Sequence, residues 1–74
     1  MLKGGNEKDK IHLTNREREV LKVMIAGYSN PQIAETLSVS LSTVKAHVSS
    51  IIRKFNVKSR VEVTRDAVKR GFLD

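Results

Sequence analysis

The sequence predicts an all-α domain of four helices. Apolar residues recur at helical spacing in four separate segments, and residues that cap or stop helices bound these segments. Near the middle of the chain, residues 30–55 contain a short and a longer helical pattern on either side of a break at residues 38–40. A short helix, a tight turn and a longer helix together form a helix-turn-helix.

The amino-terminal segment, residues 1–11, is predicted to be a flexible arm or linker. It contains Gly4, Gly5 and five charged residues but no sustained periodicity. A tether to a regulatory domain and the terminus of a complete small protein both fit this composition, and the sequence leaves both open. Residues 12–74 are predicted to form one folded domain.

The first helix is predicted to begin at Thr14, which forms a T-x-x-E capping box with Glu17. Gly27 supplies a left-handed stop after its last turn. Residues 16–19 alternate in charge and are expected to form a solvated face with ion pairs one turn apart. The core-facing residues of this helix are Val20, Leu21 and Met24.

The second and third helices form the helix-turn-helix. Asn30 is the predicted N-cap of the second helix, with Pro31 at its first helical position. Ser40 is the predicted N-cap of the third helix, which extends over about Leu41–Phe55. The apolar faces of these two helices are formed by Ile33, Ala34 and Leu37, and by Val44, Val48, Ile51 and Phe55.

The fourth helix is predicted to open at Ser59, in a second capping box with Glu62, and to extend to about Arg70 before Gly71. Phe72 and Leu73 are expected to fold back after it. Its apolar residues are Val63 and Ala67 on one line, with Val61 and Val68 beyond it. A helix that closes a small core needs only one apolar stripe, so the surplus indicates a second contact.

Composition favours a polyanionic partner and gives no support to enzymatic chemistry. The 74 residues carry a formal charge of +6 and no cysteine. His47 is predicted to lie half-buried on the packed side of the third helix, and neither it nor His12 has neighbours at metal-ligand spacing. No catalytic constellation can be assembled, so the protein is predicted not to be an enzyme and to need no cofactor. No apolar run is long enough to cross a membrane, and no membrane partner is expected.

The sequence resembles the LuxR-type DNA-binding domain over about residues 10–74. The matching positions are Leu13, Thr14, Arg16 to Leu21, Gly27, Ser29, Asn30, Ile33, Ala34, Leu37, Ser40, Thr43 to Lys45, His47, Lys54, Val57, Arg60 and Gly71. In this family the domain is the output domain of response regulators of the NarL/FixJ class and of LuxR quorum-sensing regulators. It also occurs alone in small spore-associated regulators. The resemblance therefore implies regulation of bacterial transcription, either by the output domain of a two-component response regulator or by a stand-alone small regulator.

The third helix is predicted to be the recognition helix in the major groove, because its outer face is narrow, polar and basic. The predicted base contacts are Lys45, Ala46 and Ser49. The predicted phosphate contacts are Ser29, Asn30, Ser42, Thr43, Arg53, Lys54 and Arg60. The resemblance further implies a homodimer through the fourth helix, with an interface at Val61, Thr64, Arg65 and Val68. This helix is short and carries polar residues where the family usually has apolar ones, so the dimer is predicted to be weak.

Three other interpretations stay open at this point. Region 4 of bacterial sigma factors shares the Leu-Thr-x-Arg-Glu opening and the Ser-x-x-Thr-Val-Lys turn, although the fourth helix and His47 favour the LuxR type. An interaction module that has kept the fold without binding DNA is the second, and a helical hairpin with an ordinary solvated face is the third. RNA polymerase is a further expected partner of a transcription regulator, and the expected location is the bacterial cytoplasm.

Overall fold

Four helices and their connections make up the described part of the chain. The computed structural model describes residues 11–72, and its helices are α1 Asn15–Ile25, α2 Asn30–Leu37, α3 Leu41–Phe55 and α4 Arg60–Arg70. The predicted four-helix, all-α fold is confirmed, and the third helix has the predicted bounds. Leu73 and residues 1–10 of the predicted arm lie outside the described residues. None of the helices within residues 11–72 is long and apolar enough to span a membrane.

The predicted boundaries of α1 are confirmed by its caps. The Glu17 N–H donates to Thr14 Oγ1 at 3.1 Å, and the Thr14 N–H donates to Glu17 Oε1 at 3.0 Å. Two backbone donors that the helix cannot satisfy are therefore bonded reciprocally. Gly27 follows the helix with φ at +101°, a left-handed conformation that favours glycine.

The predicted N-cap of α2 is wrong by one residue. Ser29, not Asn30, caps this helix: Ser29 Oγ accepts from the Gln32 N–H at 3.3 Å, and the Ser29 N–H donates to Gln32 Oε1 at 2.8 Å. Asn30 is then the first helical residue and Pro31 the second. The S-x-x-Q pattern satisfies two backbone donors, whereas an asparagine cap satisfies one, which favours the earlier start.

The predicted capping box of α4 is only half formed. Ser59 Oγ accepts from the Glu62 N–H at 3.4 Å, but Glu62 Oε1 accepts from the Lys58 N–H at 2.9 Å instead of from Ser59. The backbone explains the difference. Ser59 has φ at −151°, whereas the other three N-caps lie between −68° and −75°, so its own N–H is turned elsewhere.

The core lies between α3 and the other three helices. Its buried hydrophobic residues are Ile11, Val20, Leu21, Met24, Ile33, Val44, Val48, Ile51, Phe55, Val63 and Ala67. Ile11, the last residue of the predicted arm, thus packs in the core. Phe72 folds back as expected, with its ring centroid 5.6 Å from that of Phe55. The core holds α3 on its apolar side, which leaves the opposite side of this helix at the surface.

Candidate nucleic-acid interface

The outer face of α3 is an exposed strip of small, polar and basic side chains. Val44, Val48 and Ile51 are buried against the rest of the domain, so the opposite side of α3 faces solvent. The exposed members of this strip are Ser42, Lys45, Ala46, Ser49 and Arg53. Their spacing of three or four residues keeps them on one side of the helix.

Three hydroxyl groups cluster at the start of α3. Ser40 Oγ accepts from the Thr43 N–H at 3.1 Å and thereby caps the helix as predicted. The same oxygen lies 2.8 Å from Thr43 Oγ1 and 3.2 Å from Ser42 Oγ. Both predicted phosphate contacts at this end of α3 therefore have hydroxyls that are exposed and held in place by the capping serine.

An open depression brings four of the predicted site residues together. Ser29, Asn30, Lys45 and Arg60 line it, and the other lining residues are Met24, Gly27, Tyr28, Pro31 and Leu41. Residues from all four helices thus meet at one place on the surface.

Tyr28 and Leu41 in this depression are missing from the predicted site. Each side chain is 40% exposed although it is large and largely apolar. Neither residue is predicted from the sequence, because helical periodicity does not show whether a large apolar side chain beside a helix boundary is packed or exposed. The exposure of Leu41 could have been predicted, because this residue follows the N-cap and falls outside the apolar face of α3.

Arg60 at the start of α4 contacts the entry to α2. Its Nη1 donates to Asn30 Oδ1 at 2.6 Å, and its Nη2 donates to the Tyr28 carbonyl oxygen at 2.9 Å. Two of the predicted phosphate contacts are therefore hydrogen-bonded to each other. Both acceptors are uncharged, so the positive charge of Arg60 is not neutralised by these contacts.

Lys54 contacts α1 rather than lying on the outer face of α3. Its Nζ donates to Glu17 Oε1 at 2.8 Å and to the His12 carbonyl oxygen at 3.0 Å. The second carboxylate oxygen of Glu17 accepts from Ser50 Oγ at 2.7 Å. This geometry argues against the phosphate contact predicted for Lys54, because its ammonium group is already paired with a carboxylate.

Residues 16–19 are predicted to form a solvated face, and this prediction is wrong for Glu17. Its side chain is 7% exposed, whereas Arg16 and Glu19 form the expected surface pair at 3.0 Å. The capping box accounted for one oxygen of Glu17, but the partner of the other oxygen lies 33 residues away and could not be read from the sequence. The spacing of Ser50 and Lys54, one turn apart on α3, indicates only that both side chains lie on the same face of the helix.

The pKa of Glu17 reflects two opposing effects. Burial of the carboxyl group acts to raise the pKa, because it disfavours the charged form. Hydrogen bonds from Lys54, Ser50 and the Thr14 backbone, together with the positive charge of Lys54, outweigh burial and lower the pKa from 4.5 to about 2. Glu17 is therefore a carboxylate at neutral pH.

The residues predicted to form the dimer interface lie on one side of α4. Val61 is 62% exposed and Val68 is 49% exposed, and Arg65 lies between them at the surface. Thr64 is half-buried, and its hydroxyl donates to the Arg60 carbonyl oxygen at 3.2 Å. Because Val63 and Ala67 are fully buried, the apolar surface of Val61 and Val68 is additional to the part of α4 that packs in the core.

His47 is half-buried on α3, as predicted. Within residues 11–72, no group of three His, Asp, Glu or Cys side chains is placed to hold a metal ion.

A family model matches most of the chain. It is the model described as bacterial regulatory proteins of the luxR family, under the name GerE, and it matches residues 12–67. The match begins two residues before the cap of α1 and ends within α4. It therefore includes the whole depression and the outer face of α3.

Similar curated proteins include three bacterial regulators. The chain is 48% identical over 61 residues to the transcriptional regulatory protein DegU of Brevibacillus brevis. The aligned segment covers 82% of the chain and 26% of DegU. It is 45% identical over 62 residues to the oxygen regulatory protein NreC of Staphylococcus carnosus, covering 84% of the chain and 29% of NreC. The nitrate/nitrite response regulator protein NarP of Escherichia coli is 48% identical over 61 residues, covering 81% of the chain and 28% of NarP. The chain spans less than a third of these relatives.

Two solved structures resemble the fold. The first is a structure of the Vibrio cholerae VqmA dimer, described in relation to the DNA-binding mechanisms of LuxR-type receptors. It matches 89% of the chain and 30% of the VqmA chain at a TM-score of 0.83 and 32% identity. The second is the transcription factor GerE, which matches 84% of the chain and 92% of GerE at a TM-score of 0.76 and 34% identity.

Proposed function

This chain belongs to the luxR family of bacterial regulatory proteins, and we propose that it binds duplex DNA with α3 in the major groove. The observation that carries the proposal is the exposed strip on α3, which is narrow and basic and carries no acidic residue. A groove about 12 Å wide admits a helix whose leading face is small and presents hydrogen-bond donors. Family membership also favours this function over the sigma-factor interpretation.

Base reading is assigned to the middle of the strip. Lys45 supplies an ammonium donor suited to guanine O6 and N7, and Ala46 supplies a methyl group suited to thymine. Ser49, one turn further along, donates or accepts and so discriminates weakly. Three side chains make few direct contacts with bases, so DNA shape and bridging water are expected to contribute to the sequence preference.

Phosphate contacts are assigned around the depression and along the strip. Ser29 and Asn30 approach one phosphate from the start of α2, while Ser42 and Thr43 approach another from the start of α3. Arg53 lies further along α3 and is assigned to the DNA backbone rather than to a base. These contacts fix the register of α3 without reading sequence.

The first experiment measures the salt dependence of binding to a fluorescent duplex. Within residues 11–72 no carboxylate is paired with Lys45, Arg53 or Arg60, and the arm holds further lysines. We expect about three to five effective charges per protomer, each lowering log K by about 0.9 per unit of log salt. A flat salt response would contradict DNA binding.

The second experiment separates base reading from positioning. Lys45→Ala is expected to weaken binding to the preferred site by about 1–3 kcal/mol and to relax discrimination at one base pair. Arg53→Ala, the matched control on the same face, is expected to weaken binding to all sequences alike. Selection from a random duplex pool measures both variants. An unchanged selected motif for Lys45→Ala would mean that α3 is oriented differently.

We further propose that two copies pair through α4 on DNA. The exposed Val61 and Val68 flank Arg65 on one side of this helix, and VqmA, which the fold resembles, is described as a dimer. One short helix buries a few hundred Å² per partner, well below the ~800 Å² of a standard interface, so pairing without DNA is expected to be weak. Adjacent half-sites raise the effective concentration and make binding cooperative.

Val68→Glu tests the pairing surface. It should abolish cooperative binding to an inverted repeat while leaving the helical circular dichroism and the half-site affinity nearly unchanged. If the Val68→Glu variant did not fold, Val68 would belong to the core and the pairing surface would lie elsewhere. A tight dimer without DNA, measured by analytical ultracentrifugation at nanomolar concentration, would contradict weak pairing.

The wider protein is proposed to be a transcription regulator of one of two kinds. NarP is named a response regulator, which favours an output domain attached to a receiver. GerE, whose chain is matched over 92% of its length, favours a stand-alone regulator. Sequencing the gene upstream of Met1 distinguishes the two. The cytoplasmic location and the contact with RNA polymerase remain predictions.

A further inference from the structure

We propose that Arg60 is a positioning residue for DNA binding: it orients the Asn30 side-chain amide so that the amide NH2 group faces a DNA phosphate. This inference rests on the proposed function and changes the role of Arg60 within it. In the sequence-based prediction Arg60 was itself a phosphate contact. In the structure both of its terminal nitrogens are bonded to protein oxygens, Asn30 Oδ1 and the Tyr28 carbonyl oxygen.

The chemistry of the two side chains fixes which way the amide points. A guanidinium group only donates hydrogen bonds, whereas an asparagine amide accepts on its oxygen and donates on its nitrogen. The group 2.6 Å from Arg60 Nη1 must therefore be the oxygen of Asn30. The Asn30 nitrogen, with two N–H bonds, is then held on the side away from Arg60.

The Asn30 amide nitrogen is open to solvent. Asn30 is half-buried, yet the described residues 11–72 supply no hydrogen-bond acceptor to its Nδ2, and no side-chain nitrogen or oxygen in that range is both buried and unbonded. Nδ2 must therefore reach the surface. Asn30 lines the depression that also contains Lys45 and Ser29, so we place Nδ2 on that side.

The first turn of α2 offers few other donors. The Ser29–Gln32 capping box uses the backbone N–H groups of both residues, and Pro31 has none. In the described part of the chain, the backbone N–H of Asn30 is left without a hydrogen-bond partner. A phosphate at this corner would accordingly be bound by the backbone and side-chain nitrogens of Asn30, and Arg60 fixes the second of these.

The charge of Arg60 strengthens this arrangement. A hydrogen bond from a cation is shorter and stronger than a neutral one, and it polarises the amide that accepts it. Because both acceptors of Arg60 are uncharged, its positive charge also remains available to attract a phosphate. Arg60 therefore orients and polarises the donor without touching the DNA.

The central experiment is a double-mutant cycle on a duplex selected with the wild-type chain. Arg60→Lys keeps the charge, but an ammonium group cannot bridge both acceptors as the planar fork does. We expect Arg60→Lys and Asn30→Ala each to weaken binding roughly tenfold, and the double variant to be no weaker than either alone. The salt dependence of Arg60→Lys should equal that of the wild type.

Arg16→Lys is the matched control, because Arg16 also bonds a side chain through one guanidinium nitrogen but lies on α1 outside the depression. It should bind DNA as the wild type does. Wild-type affinity for Arg60→Lys would make Arg60 a simple charge and overturn the inference. Additive losses in the double variant would overturn it as well.

Asn30→Asp gives the inference a sharper test. The carboxylate would pair with Arg60 and preserve the fold, but it would replace an outward donor with an acceptor that repels phosphate. We expect Asn30→Asp to bind DNA more weakly than Asn30→Ala while its thermal unfolding temperature is unchanged or higher. Equal affinities of these two variants would overturn the inference.

The hydrogen bond itself can be tested without DNA. In NMR spectra of the free chain, the Asn30 side-chain NH2 signals should move in Arg60→Lys and stay in place in Arg16→Lys. Unmoved signals in Arg60→Lys would contradict the contact. A wild-type chain that binds no duplex would contradict the proposed function instead, and these spectra would still decide whether Arg60 orients Asn30.

Discussion

Two cations that the sequence analysis treated alike, Lys54 and Arg60, contact very different partners. Lys54 bonds a buried carboxylate, Glu17, and a backbone carbonyl. Arg60 bonds an amide oxygen and a backbone carbonyl, both uncharged. Each cation joins distant parts of the chain, but only Lys54 forms an ion pair in doing so.

The partner decides what each cation can contribute to DNA binding. The charge of Lys54 is compensated by Glu17, so little of it remains to attract phosphates. Within residues 11–72 no carboxylate is paired with Arg60, whose charge lies in the depression beside Lys45. We therefore expect Lys54 to contribute mainly to stability and Arg60 mainly to the proposed DNA-binding surface. Four predictions test this difference, beginning with the largest expected effect.

The largest effect is expected from acid on the Glu17 contact. The pKa of Glu17 is lowered from its ordinary value of 4.5 to about 2 in the fold, which corresponds to at most about 3 kcal/mol of stability, because water screens the one-third exposed Lys54. Because the folded pKa is the lower one, this contribution is complete above the unfolded pKa and disappears as the pH falls toward the folded pKa.

Urea denaturation of the wild type and Glu17→Gln across this pH range measures the effect. The difference in free energy of unfolding should be large at neutral pH and should shrink below about pH 4.5. Glu19→Gln, which alters an exposed pair, is the control and should show no comparable dependence. A difference that is constant with pH would contradict the role given to Glu17.

The next effect is expected from Lys54→Met. This variant leaves the buried Glu17 carboxylate without its cation, although Ser50 and the Thr14 N–H still donate to it. The Lys54 side chain is a third exposed, so the expected loss is about 2 kcal/mol, below the 3–5 kcal/mol typical of a fully buried pair. Chemical denaturation measures it, with Arg16→Met as the control at an exposed pair.

A smaller loss of stability is expected from Arg60→Met. Its two acceptors are neutral and lie near the surface, so water can replace the arginine at both. The expected decrease in the free energy of unfolding is about 1 kcal/mol, which thermal or urea denaturation resolves. A loss equal to that of Lys54→Met would remove the distinction between a charged and an uncharged partner.

The smallest effect concerns the salt dependence of DNA binding. Lys54→Met should leave the slope of log K against log salt almost unchanged, because Glu17 already neutralises this cation. Arg53→Met, one residue away on the exposed side of α3, should reduce the slope by about 0.9. Equal reductions in the two variants would restore Lys54 as a phosphate contact.

Much of the fold could be predicted because local rules determined it. The box between Thr14 and Glu17, the cap at Ser40 and the bounds of α3 all follow from residues within one turn of each other. The errors also have local causes. The Asn30-Pro31 pair favoured a later start for α2 than the Ser29–Gln32 box produces, and the backbone at Ser59 prevented a reciprocal box.

The candidate site could be predicted only in part. The exposed strip on α3 follows from helical periodicity, which places Lys45 and Ser49 opposite the core. The depression could not be predicted, because it combines side chains from four helices whose relative positions depend on packing. The apolar lining by Tyr28 and Leu41 was missed for the same reason.

The sequence by itself determined the helices, most of their caps, the apolar faces and the family, because all of these depend on spacing along the chain. Only the tertiary structure decided the long-range partners of the charged residues. Whether a cation is compensated depends on what lies across the helix interface, such as Glu17 opposite Lys54, 37 residues apart in the chain. Hydrogen bonds and ion pairs act over a few ångströms in space, so helical periodicity predicts which face a residue occupies but not which partner it finds there.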